Sequence, residues 1–144
     1  MPNPATYDDV NLILKLYEIR REEKLRHARD WFSKSFKVKN MDDFMKVCAP
    51  GTDTNAYFRM VVSYWEMVAS FVTSGVLSED LFYQSGRELL FCWERLRDLA
   101  PAYREACKSS TEWKNLEIVA NDFIQKWNAQ SPGAYEAFSA RVRG

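Results

Sequence analysis

A chain of 144 residues is the size of one domain and can bury a core without metal or disulfide staples. Its 20 lysines and arginines balance 20 aspartates and glutamates. That balance removes the basic footprint of a nucleic-acid binder and gives no reason to expect an anionic membrane surface as partner. Five glycines and five prolines are too few for a turn-rich all-β chain, and the apolar periodicity is helical.

Residues 1–5 read as a disordered leader. Thr6 followed by Asp9 is a capping-box pattern, with Asp8 and Asp9 suited to the positive end of a helix. From there Val10, Ile13, Leu14 and Tyr17, then Leu25, Ala28, Trp31 and Phe32, predict one long helix over about 7–34 with a single core-facing stripe. Its middle, Arg20 to Lys24, is wholly charged: either a polar patch interrupts the packing or the long side chains snorkel outward. The first half carries a second stripe, Leu12, Leu16 and Ile19, on the opposite side. Two apolar faces require two neighbours, and the second is either the C-terminal helix or another copy of the chain.

Asn40 with Asp43 opens a short helix, and Pro50-Gly51 breaks it. Residues 55–74 form the central element. Phe58, Val61, Val62, Trp65, Val68, Ala69 and Val72 make one stripe, and Tyr57, Met60, Tyr64, Met67 and Phe71 widen it past half the circumference. A helix apolar over most of its girth is central or membrane-embedded. Arg59 and Glu66 interrupt the run, which stays short of the ~20 apolar residues of a membrane span.

Gly75 is placed to close that helix as its C′ residue, and Ser78 caps the next. There Leu81, Phe82, Leu89, Trp93 and Leu96 share a face, with Gly86 and Cys92 as small members. Phe91 falls outside that face, among Gln84, Arg87, Arg95 and Asp98, and reads as an exposed aromatic or a contact residue. Arg87, Glu88, Glu94, Arg95 and Asp98 read as a solvated charged face laced with ion pairs. Pro101 ends or bends that helix near Leu99. Trp113, Leu116, Ala120, Phe123, Ile124 and Trp127 form an amphipathic helix from about Glu112, Ser131-Pro132 start a last short one, and 141–144 read as a frayed tail. The outcome is an all-α, single-domain antiparallel bundle of five to six helices around the central one.

Little in this pattern carries chemistry. The single His27 excludes zinc sites built on histidine pairs and the di-iron bundle, and its neighbours Arg26, Arg29 and Asp30 are those of a solvated position. No phosphate-cradling glycine loop or calcium-loop spacing occurs. Met41, Met45, Met60 and Met67 fall at helical spacing as core filler. No metal or cofactor is therefore expected, and no catalytic residue is assigned. Cys48, Cys92 and Cys107 are an odd count without C-x-x-C pairing, and the N-terminus lacks signal-peptide character, so reduced thiols and a cytoplasmic location are expected. Cys92, on the apolar side of its helix, reads as a small core residue.

The strip Arg59, Ser63, Glu66 and Ser70 on the central helix admits two readings: the polar lining of a ligand cleft, or the helix's exposed edge.

Tyr64-Trp65-Glu66 with Val68, followed by Trp93-Glu94 with Leu96, Pro101 and Arg104, resembles an uncharacterised bacterial all-helical family known only as a domain of unknown function. The overlap runs from about Thr54 to Arg104. The resemblance implies an all-helical domain and brings no activity, substrate or cofactor. Some members of such families carry an N-terminal membrane helix, from which this chain departs because residues 7–34 are too charged to span.

The reading that follows is a cytoplasmic, non-catalytic interaction or structural module. It forms a homodimer or binds a protein partner through Leu12, Leu16 and Ile19, with Phe91 as a weaker contact; nucleic acid and membrane are not expected as partners. The alternative is a small-molecule binder whose pocket lies beside Arg59, Ser63 and Glu66.

Overall fold

Thr52 leaves the extended region to cap a helix, its hydroxyl accepting the Asn55 N–H at 3.2 Å, and the chain then stays helical from Asp53 to Thr73. This helix, α4, buries Phe58, Val61, Val62, Tyr64, Trp65, Val68, Ala69 and Val72, as its broad apolar girth predicts. Gly75 ends it at φ 82°, the left-handed conformation that glycine adopts without a steric penalty.

The computed structural model describes residues 4–143. Within them the remaining helices are α1 (Tyr7–Arg20), α2 (Glu23–Ser35), α3 (Met41–Val47), α5 (Glu79–Tyr83), α6 (Arg87–Leu96), α7 (Ala100–Cys107), α8 (Lys114–Gln130) and α9 (Ala134–Arg143). Helices α2 and α8 lie along α4, and α6 closes the bundle by packing on α4, α8 and α9. The fold is all-helical, without strands among the described residues, and forms one compact domain. No helix among those residues is long and apolar enough to cross a membrane.

The expected long first helix is two. Glu22 leaves helical geometry at ψ 141°, and its carboxylate accepts the Leu25 N–H at 3.1 Å to start α2. The end of α1 is closed by Arg29 of α2, which donates through Nη1 to the Arg20 carbonyl at 2.8 Å. The charged run offers nothing apolar to carry a stripe across, so the helix ends give more by being capped than by continuing. Beyond the turn α2 runs antiparallel to α4, with Phe36 stacked on Phe58 at one end and Arg20 over Trp65 near the other.

The break frees α1 to rotate, and its inner side is not the stripe expected to face the core, of which only Ile13 is half-buried. Leu16 is buried and Leu12 half-buried, whereas Val10, Leu14 and Tyr17 are exposed. Two polar contacts set this rotation. The Tyr64 hydroxyl donates to the Leu16 carbonyl at 2.5 Å. The buried Asp9 carboxylate accepts the Thr6 N–H and the Ser78 N–H, each at 2.7 Å, joining the start of α1 to the start of α5.

Three further expectations are revised. Among the described residues nine helices stand where five or six were expected, because α1 and α2 separate and α5 and α7 are short elements of their own. Helix α8 begins at Lys114 and not at about Glu112, after Trp113, which has φ 60° and stacks on Tyr103 at 4.3 Å. Residues 141–143, expected in the tail, belong to α9, which runs to Arg143 and buries Val142. Residues 1–3 of the expected leader, and Gly144, lie outside the described residues.

The two N–H donors on Asp9 hold its carboxyl below the ordinary aspartate value of about 3.9. A depressed folded-state value means folding favours the charged form. The stabilisation is therefore complete above the unfolded value and lost as pH falls through the folded one. Asp9→Asn, whose amide nitrogen faces an N–H, should melt several degrees below wild type at neutral pH. Thermal melts should show that gap closing as pH is lowered below about 4.

Candidate functional site

The strip on α4 resolves as an edge and a clamp. Arg59 and Ser63 are exposed; Arg59 donates to Asn55 Oδ1 at 3.0 Å, and the Ser63 hydroxyl donates to the Arg59 carbonyl at 2.5 Å, both within the helix. Ser70 likewise donates to the Met67 carbonyl at 2.6 Å. Glu66 turns to α8, where its carboxylate accepts the Leu116 N–H at 2.8 Å and the Asn115 amide at 2.9 Å. An anionic side chain on the first N–H groups of a helix satisfies donors that have no intrahelical partner and opposes the positive end of the dipole. Glu66 thus does for α8 what a local cap does elsewhere. Two cavities beside α4 are bordered by Tyr57, Met60, Val61 and Trp65, and Arg59, Ser63 and Glu66 line neither of them.

Exposed large apolar side chains gather on α1. Tyr7, Val10, Leu14 and Tyr17 are 79%, 40%, 55% and 45% exposed and recur every three or four residues along one side. The stripe expected to form the contact is mostly on the inner side: Leu16 is in the core, Leu12 is half-buried, and only Ile19 is exposed.

A groove of about 530 Å³ opens between α2, α4 and α6, with Phe138 of α9 at its margin. Phe32, Val61, Trp65 and Phe91 supply its apolar floor, and Cys92 lies beneath. Arg29 and Glu88 wall it with a paired contact: Nε to Oε2 at 2.7 Å and Nη2 to Oε1 at 2.6 Å. This fork-on-fork geometry is the strong form of an ion pair, and the bond to Glu88 raises the Arg29 pKa above its ordinary value. Arg26 and Arg87 stand at the rim, Arg87 lying 3.8 Å over the Trp127 ring. Phe91, expected in solvent, is half-buried here, with Phe32 edge-on at 6.3 Å and the Arg95 guanidinium over its face at 4.7 Å.

Of the charged face expected on α6, Arg87 and Asp98 are exposed, Glu88 and Arg95 are half-buried, and Glu94 is interior. Glu94 is buried and accepts from the Tyr135 hydroxyl at 2.8 Å and the Ser139 hydroxyl at 2.5 Å, tying α9 down. Arg95 donates to the carbonyls of Phe36 at 2.8 Å, Ser33 at 3.1 Å and Val142 at 2.9 Å, closing the ends of α2 and α9 together. Asp98 alone among the acids stays exposed, bound by Arg143. The signal for this was Leu90 and Phe91: apolar residues on both sides of α6 mean neighbours on both sides.

His27 lies on α2 edge-on to Tyr57 at 5.0 Å, beside a second open depression. Burial pushes the Cys92 thiol well up and Cys48 up to about 11, so neither is a ready thiolate. No cluster of three or more His, Cys, Asp or Glu among the described residues is placed to hold a metal.

A family model described as "Domain of unknown function (DUF4760)" matches residues 5–138. No curated protein and no solved structure matches the chain.

Glu66→Ala should strip the start of α8 of its acceptor and lower stability by about 1–3 kcal/mol. Urea unfolding would measure the loss, and amide exchange should accelerate first at Leu116. Ser63→Ala, on the exposed edge, should change stability little.

Proposed function

We propose that this chain, which belongs to the family described as a domain of unknown function (DUF4760), is an interaction module that pairs with a second copy of itself through the outer face of α1. One observation carries the reading. Five of the nine large apolar side chains left exposed among the described residues fall within α1, and four of them share one stripe. Exposed apolar side chains scattered singly are ordinary; gathered in a patch they mark a contact surface.

A second copy suits this face by charge. The helix begins acidic, at Asp8, and ends basic, at Arg20 and Arg21, whose guanidiniums lie 4.9 and 5.4 Å from the Tyr17 ring centroid. Two such helices related by a two-fold axis and run antiparallel set the acidic start of one beside the basic end of the other. Every contact is then made twice, and the helix dipoles oppose. The three cysteines are free thiols, two of them buried, which supports a reducing, cytoplasmic setting.

Leu14, near the middle of the stripe, is the residue to change. Light scattering coupled to size exclusion over a wide dilution series should give a dimer mass for the wild-type chain. Leu14→Glu should weaken the dimer by about two orders of magnitude with unchanged helix content. Leu16→Glu should unfold the chain, since Leu16 is in the core. A monomer mass at every wild-type concentration, or a Leu14→Glu protein as dimeric as wild type, would refute the pairing.

A further inference from the structure

The groove between α2, α4 and α6 carries a charge surplus that the fold does not consume. Three guanidiniums, Arg26, Arg29 and Arg87, border it against two carboxylates, Asp30 and Glu88. Glu88 is satisfied by Arg29, and Asp30 pairs with Lys34 at 3.0 Å. Among the described residues, neither Arg26 nor Arg87 has a carboxylate within salt-bridge distance; Arg87 spends its face on Trp127 and keeps its N–H edge for another partner. Trp65, bordering the same groove, has its indole N–H buried without an acceptor, and a buried donor of that kind normally has one.

We propose that this groove binds a small organic monoanion. An apolar body lies on Phe32, Trp65 and Phe91, and a carboxylate is held at the rim by Arg26 and Arg87. The volume of about 530 Å³ falls within the range of small-molecule sites, which pair mostly apolar walls with a few placed polar groups. Glu88 and Asp30 each already have a basic partner, which leaves Arg26 and Arg87 to share one carboxylate. Inorganic phosphate would gain nothing from the aromatic floor. Guanidinium forks match a planar carboxylate, and a body seated on the Trp65 ring changes the surroundings of its indole. The site is separate from the outer face of α1 and stands whether or not the chain pairs.

Titration calorimetry on the full chain tests this with octanoate as probe, octanamide as its uncharged match and inorganic phosphate as an anion without a body. Octanoate should bind, and the Trp65 indole N–H resonance, assigned by loss in Trp65→Phe, should shift as it does. Octanamide and phosphate should each bind at least about tenfold more weakly. The Arg26→Ala/Arg87→Ala double variant should lose about tenfold or more in octanoate affinity while keeping its fold, because both side chains are exposed. Octanoate that fails to bind, binds no better than octanamide or phosphate, leaves the Trp65 resonance unmoved, or binds the double variant as it binds wild type would overturn the assignment.

Discussion

Backbone groups at the ends of short helices must find partners, and this chain supplies several of them from a distance. A helix leaves up to four N–H groups and four carbonyls unpaired at its ends, so dividing a bundle into many short helices multiplies buried groups at risk. Local caps serve the starts of α1, α2, α3, α4 and α5. Elsewhere the partner comes from another helix: Arg29 closes α1, Glu66 opens α8, Arg95 closes α2 and α9 at once, and Asp9 meets the N–H of Ser78 just before α5. Arg104 adds a bond to the Glu112 carbonyl at 2.7 Å ahead of α8 and pairs with Glu117 at 3.0 Å. Apolar packing draws the helices together; these contacts decide where each one stops.

The residues that carry the family resemblance fit this picture. Tyr64 holds α1 through the Leu16 carbonyl, Glu66 holds α8, Glu94 holds α9 and Arg104 holds the segment leading into α8. Trp65 is the exception, since its polar atom serves no partner in the fold. A pattern made of such residues speaks first to architecture. It explains how a chain can be assigned to a family without that assignment bringing a chemistry.

What was legible in the sequence was local. The girth of α4, the Asn40 and Ser78 caps, Gly75 as a helix terminator and the interruption at Pro101 all depend on residues within one or two turns, and each lies where expected. The misreadings share one cause. Periodicity states that a face is apolar without stating which neighbour it meets, so the two stripes of α1 could not be ordered until Tyr64 and Asp9 fixed the rotation. Charge on α6 suggested solvent because charged residues are rarely buried without partners. Here the partners, Tyr135, Ser139 and the carbonyls of α2 and α9, lie some forty or more residues away. The same distance hid the role of Glu66, which looks like part of a polar strip until Leu116 is placed beside it.

Arg29 shows why the two candidate surfaces arise together. Its guanidinium uses one nitrogen on the Arg20 carbonyl and two on Glu88, so a single planar group ends α1 and walls the groove. A lysine could not divide itself this way, since a point-like ammonium lacks the fork that meets a carboxylate with two bonds while a third points elsewhere. Ending α1 at Arg20 lets that helix turn independently of α2, and the polar contacts of Tyr64 and Asp9 then hold it by its inner side. Its second apolar stripe is left facing outward as a consequence. Pulling Arg29 toward Glu88 also removes both from the ionic balance of the groove, which leaves the rim to Arg26 and Arg87. The open face of α1 and the Arg29–Glu88 wall of the groove therefore meet at one structural feature, the break at Arg21 and Glu22.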